Sequence, residues 1–168
     1  MQREDYQLVT NPSGEILCSH MQFLLDEVIA LDSAYDYIIE SYEIIKLSYH
    51  EALESEHLIP DNTTTLDKRA TFRDMPLLFA KCKKLVRSMR FALSRSLIYA
   101  DHFRELRFEF SHRTIHLNDV DFRIAENFSS SVWLLYEVMN ALYITSSRLL
   151  GNILDVQKEI VANGHREI

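Results

Sequence analysis

Residues 16–56 read ILCSHMQFLLDEVIALDSAYDYIIESYEIIKLSYHEALESE, without one Gly or Pro. The apolar series Leu17, Met21, Leu24, Val28, Leu31, Tyr35, Ile38, Tyr42, Ile45, Tyr49 advances by alternating steps of four and three. That spacing keeps one side chain in every turn on the same face, so the stretch predicts a long helix packed lengthwise on partners. Phe23, Ile29, Ile39 and Ile44 widen the stripe beyond a two-stranded seam, which predicts a helix within a bundle.

Working outward, Asn11-Pro12-Ser13-Gly14 is a turn signal, and Ser13 is the expected N-cap of this helix. Residues 59–73 form a polar connection around Pro60 and Asp61-Asn62-Thr63-Thr64-Thr65. Asp74 is the expected cap of the next helix, with Pro76 in its first turn. Leu78, Cys82, Leu85, Met89 and Ala92 carry the period onward to an expected break at Ser94-Arg95-Ser96. A third helix is expected from Leu97 to Phe110, then a loop over 112–118. Asn118 is the expected cap of a last helix marked by Val120, Ile124, Phe128, Val132, Leu135, Met139, Leu142 and Leu149, stopping at Asn163-Gly164. The fold class expected is all-α, a single bundle of about four long helices: a flexible lead over 1–14, one helical domain over 15–164 and a short tail over 165–168.

With 47% hydrophobic residues in 168, the chain can bury a core without disulfides or metal. No apolar run reaches the roughly 18 residues that span a membrane. The opening Met1-Gln2-Arg3-Glu4-Asp5 does not resemble a secretory leader, so a cytoplasmic location is expected. In a reducing compartment Cys18 and Cys82 read as buried hydrophobes. Glu54-Ser55-Glu56-His57 and Glu109-Phe110-Ser111-His112 share the Glu-x-x-His pattern of di-iron bundles, with Glu27, Glu40 and Glu137 as further carboxylates. Both pairs fall near predicted helix ends, where they cannot face inward together, so no metal and no cofactor is expected. Tyr35, Tyr37, Tyr42, Tyr49 and Trp133 are expected to pack in the core.

Charge is unevenly placed. Residues 1–67 hold 2 basic and 14 acidic side chains, residues 68–113 hold 12 basic and 4 acidic, and the whole chain carries −7. The basic block includes Lys81, Lys83, Lys84, Arg87, Arg90, Arg95, Arg104 and Arg113. Either it offsets the acidic first helix across solvated faces, or it holds a polyanion such as RNA.

Arg104-Glu105-Leu106-Arg107-Phe108-Glu109-Phe110-Ser111-His112-Arg113 places an Arg and a His with four residues between them at a predicted helix-to-loop junction. A His that titrates near neutrality moves the proton of a 2′-hydroxyl or a leaving oxygen. An Arg holds the scissile phosphate with a fork of donors. The same pair also suits a plain capping role at a helix end.

The stretch resembles the R-x4-6-H motif of HEPN domains (higher eukaryotes and prokaryotes nucleotide-binding). The resemblance implies a helical bundle, often a homodimer whose motif residues meet in one cleft, and metal-independent RNA cleavage or RNA binding in defence or toxin–antitoxin systems. Arg107 and His112 would be the catalytic pair, and Lys81, Lys83, Lys84, Arg87, Arg90, Arg104 and Arg113 the RNA-binding residues. Phe108 stands where active members carry a polar residue, so a binding member that does not cut is equally implied. A reading from another class stays open beside it: a non-enzymatic helical regulatory or interaction protein, antitoxin-like or similar to mannitol-repressor-type bundles, with a partner protein instead of RNA.

Overall fold

A computed structural model of the chain describes the backbone of residues 12–63, 65–110 and 119–166, and the side chains of residues 20–63, 65–105 and 122–164. Three long helices account for most of it: α1 (Pro12–Glu54), α2 (Lys68–Phe110) and α3 (Asp119–Arg166). A single 3-10 turn, Glu56–Leu58, follows α1. There is no strand among the described residues, so the chain is all-α.

The helix count differs from the expected four. Ser94-Arg95-Ser96 does not interrupt α2, because Ser96 is fully buried and its hydroxyl donates to the carbonyl of Ala92 at 2.8 Å. A serine bonded one turn back is satisfied inside a helix and has no need of a turn. The start of α2 also lies earlier than expected. Asp67, not Asp74, is the cap: its carboxylate accepts from the amide of Ala70 at 3.1 Å, and its carbonyl accepts from Thr71 at 2.9 Å. Pro76 therefore stands inside α2 instead of in its first turn. At the other end of the chain, Asn163 and Gly164 do not stop α3, which continues through both to Arg166. Pro12 and Gly14 lie within the first turn of α1, whereas Asn118 lies outside the described residues.

The chain divides into two compact units, and each helix contributes one segment to each. The first comprises Met1–Tyr35 and Ser88–Glu137. Its core includes Leu24, Val28, Met89, Phe103, Phe128 and Leu135, with Phe103 and Phe128 stacked at 5.7 Å between ring centroids. The second comprises Asp36–Arg87 and Val138–Ile168. Here Phe79 stacks on Tyr49 at 4.4 Å and lies parallel to Tyr42 at 6.3 Å, beside buried Met75, Cys82, Leu149 and Ile153. Such aromatic pairs add about 0.5–1.5 kcal/mol beyond their buried area. Burial raises the pKa of the Tyr49 hydroxyl above its ordinary value.

The connection between α1 and α2 is tied to the second unit by named contacts. Ile59 and Leu66 bury their side chains. Lys68 donates to the carbonyl of Ile59 and to the carboxylate of Asp61, each at 2.8 Å. Thr63 donates to the carbonyl of Leu66 at 2.7 Å. This polar stretch is thereby an ordered strap instead of a free linker.

Candidate nucleic-acid face and interhelical groove

The period that buries α2 also decides where its charges go. Met75, Cys82 and Val86 are buried. Positions three and four apart share a helix face, so Lys81, Lys84 and Arg87, and likewise Lys83 and Arg87, form neighbouring rows away from that apolar stripe. All four are exposed. None is paired with a carboxylate among the described residues, whereas Lys68 and Arg73, nearer the start of α2, are paired with Asp61 and Asp74. The rows span about 9 Å of helix at 1.5 Å per residue. In the first unit Arg90 is exposed and donates to the hydroxyl of Tyr35 at 2.9 Å, and Arg104 is paired with Asp101 at 2.9 Å. Arg104 thus has a carboxylate partner, while Lys81, Lys83, Lys84 and Arg87 have none among the described residues. Arg95 lies over the rings of Phe91 and Tyr99, with 5.5 Å and 5.8 Å to the centroids.

Arg107 falls on α2, but its side chain lies outside the described residues, as do His112 and Arg113 altogether. No distance joins the pair. Cys82 is a free, buried cysteine whose pKa is raised by burial, against a smaller lowering from Lys81. Such a thiol is a core group and not a nucleophile. Cys18 lies outside the described side chains. Among the described residues no three His, Cys, Asp or Glu side chains come together as a metal site would need. No helix of the described residues is long and apolar enough to cross a membrane.

Several apolar residues expected in the core are at the surface. Tyr37 is 73% exposed and Trp133 62%, and Phe23, Ile29 and Ile44 are also exposed. Tyr42 and Tyr49, by contrast, are buried as expected, and Tyr35 is half-buried. In the second unit Tyr37 borders a groove that the sequence reading missed. Tyr37, Ile38, Ser41, Tyr42 and Ile45 of α1 face Met139, Leu142, Tyr143, Ser146, Ser147 and Leu150 of α3 across a hollow of about 380 Å³. No lining side chain is charged. The signal was present in the sequence on α3 as a second row at heptad spacing, Tyr143 with Leu150, beside the row that forms the core.

Comparison of the chain with protein-family models, with curated proteins and with solved structures returned no match.

Proposed function

We propose that this chain is a HEPN-like helical domain that binds RNA through the outward face of α2, in the cytoplasm, with Arg107 and His112 as the pair that would carry metal-independent cleavage. The observation that supports this reading is the cation face of the second unit. Lys81, Lys83, Lys84 and Arg87 are exposed on neighbouring rows of one helix and have no carboxylate partner among the described residues. In a chain of net charge −7, unpaired cations gathered on one helix form a local attractor for phosphates against a repelling remainder. Binding to single-stranded RNA at several salt concentrations tests it. Four phosphate contacts give a log–log salt slope of about −3. Lys84→Glu with Arg87→Glu should weaken binding to all sequences alike, and equal binding by this double variant and wild type rejects the face as an RNA site.

A second reading is favoured by the uncharged groove, which no cation face explains. Exposed apolar surface gathered in one groove marks an interaction site, as expected of a non-enzymatic helical interaction protein. Binding of a protein partner that survives Lys84→Glu with Arg87→Glu, without any RNA binding by wild type, would favour this reading over the first.

A further inference from the structure

We infer that the α1–α3 groove of the second unit is a binding site for a small uncharged aromatic molecule, flat and of about two to three rings. This occupant is independent of RNA binding by the cation face and differs from the protein partner of the interaction reading.

Size sets the first limit. A dry apolar cavity of about 150 Å³ holds a single benzene. The hollow here is about 380 Å³, roughly two and a half times that, which gives room for about two to three aromatic rings. It also falls within the roughly 300–1,000 Å³ of small-molecule pockets. A hollow selects a guest that enters it over a partner that spans it. A protein face laid across the opening would leave the inner walls without contacting atoms, and that dispersion attraction would be lost.

Charge sets the second limit. No side chain lining the hollow is charged. A nucleotide, phosphate or carboxylate finds no cation in the groove, and an amine finds no carboxylate. A charged ligand would lose its hydration there without gaining a partner. The guest is therefore neutral, unlike the polyanion that suits Lys81, Lys83, Lys84 and Arg87.

The walls favour an aromatic guest. Tyr42 and Leu142 are buried, whereas Tyr37 and Tyr143 are 73% and 72% exposed. The groove thus has an apolar floor and a rim with one tyrosine from each helix. Aromatic rings pair with other rings in stacked or edge-on arrangements, and the thioether of Met139 offers a favourable sulfur–ring contact. The hydroxyls of Ser41 and Ser146 donate to the carbonyls of Tyr37 and Tyr143, at 3.0 and 3.2 Å. Those of Tyr37, Tyr143 and Ser147 donate to no described residue, so the rim can also bond a carbonyl or ether oxygen of the guest.

Fluorescence titration of the full chain with N-phenyl-naphthylamine, an uncharged probe that brightens in apolar surroundings, tests the inference. Its sulfonated analogue, anilinonaphthalene sulfonate, carries the same rings with a negative charge. The expected result is saturable binding of one neutral probe per chain, with the sulfonate weaker by about tenfold or more. Tyr143→Glu and, separately, Ser147→Trp should each weaken binding of the neutral probe by about tenfold or more, the first by setting a charge at the rim and the second by occupying the hollow. Both positions are exposed, and circular dichroism of each variant should match wild type. Leu77→Glu, at an exposed position of α2 outside the groove, should bind the probe as wild type does, and so should Lys84→Glu with Arg87→Glu. Absence of saturable binding, equal binding of the sulfonate, or binding unchanged in both groove variants overturns the inference. So does light scattering that shows an assembly which must dissociate before the probe binds, because the groove is then covered by protein.

Discussion

The hydroxyl of Thr65, in the strap between α1 and α2, donates to a carboxylate oxygen of Glu159 on α3, 94 residues away in the chain. Glu159 is the one buried charged side chain among the described residues. A buried carboxylate that loses its donor keeps its desolvation cost, and hydrogen bonds to charged groups contribute about 1.5–3 kcal/mol. Thr65 itself is exposed, which places Thr65→Val toward the low end of that range. Thermal melts should show a Tm lower by several degrees, with Thr65→Ser close to wild type. An unchanged Tm in Thr65→Val would remove the strap contact from the account of stability.

Asp61 gives the strap an acid-sensitive joint. The hydrogen bond from Lys68, and then its charge, hold the Asp61 carboxyl below its ordinary value of 3.8. A folded-state pKa below the unfolded one favours folding at pH values above the unfolded pKa. That contribution fades as pH falls through the depressed value. Asp61 is fully exposed, so the effect is small and salt-screened. Denaturant melts near neutrality and near pH 3 should show a smaller acid-induced loss in Asp61→Asn than in wild type. The two proteins should converge at the lowest pH.

The Cys82 thiol should resist chemistry. It is buried, and burial pushes its pKa up, so little thiolate forms at neutral pH. In a Cys18→Ser background, thiol titration should proceed slowly in buffer and fast in guanidinium. Fast modification of folded protein would place Cys82 in a region that opens readily.

The chemistry proposed for Arg107 and His112 has its own signature. Cleavage that uses the internal 2′-hydroxyl leaves 2′,3′-cyclic phosphate ends, spares DNA and survives EDTA. His112→Ala should lower the rate by about 10²–10⁴. Phe108 beside Arg107 points to weak activity or none in wild type, and Phe108→Asn should raise it. Cleavage undiminished in His112→Ala would assign the activity to another site.

Much of the helical architecture was readable because periodicity reports geometry directly. The four-three series of α1 places Met21, Leu24, Val28, Leu31, Tyr42 and Tyr49 in the core, as the structure does. What failed were readings by residue habit. Serines suggested a break at 94–96, whereas Ser96 is satisfied by Ala92 within the helix. Pro76 suggested a helix start, whereas the start is set by Asp67. Phe23, Ile44 and Trp133 were assigned inward because a period reveals which residues share a face, not whether that face meets its own chain. The exposure of Lys81, Lys83, Lys84 and Arg87 was legible for the converse reason: they fall between the core positions of a well-marked stripe. Arg107 and His112 were legible only as a spacing, and the described side chains add nothing to it.

Pro76 has a consequence for the order in which amide protons are lost to solvent. A proline has no N–H, so the carbonyl of Phe72 lacks its donor from the next turn. The hydrogen-bond ladder of α2 is therefore interrupted at its ninth residue. The turns before Pro76 hang on the Asp67 cap and the Lys68 contacts, and those after it on the buried run through Cys82 and Met89. In hydrogen–deuterium exchange, residues 71–75 should lose protection as a cooperative group ahead of residues 82–93. Removing the Lys68 contacts should speed that early group alone. One helix would then hold two clocks, with a proline as the seam between them.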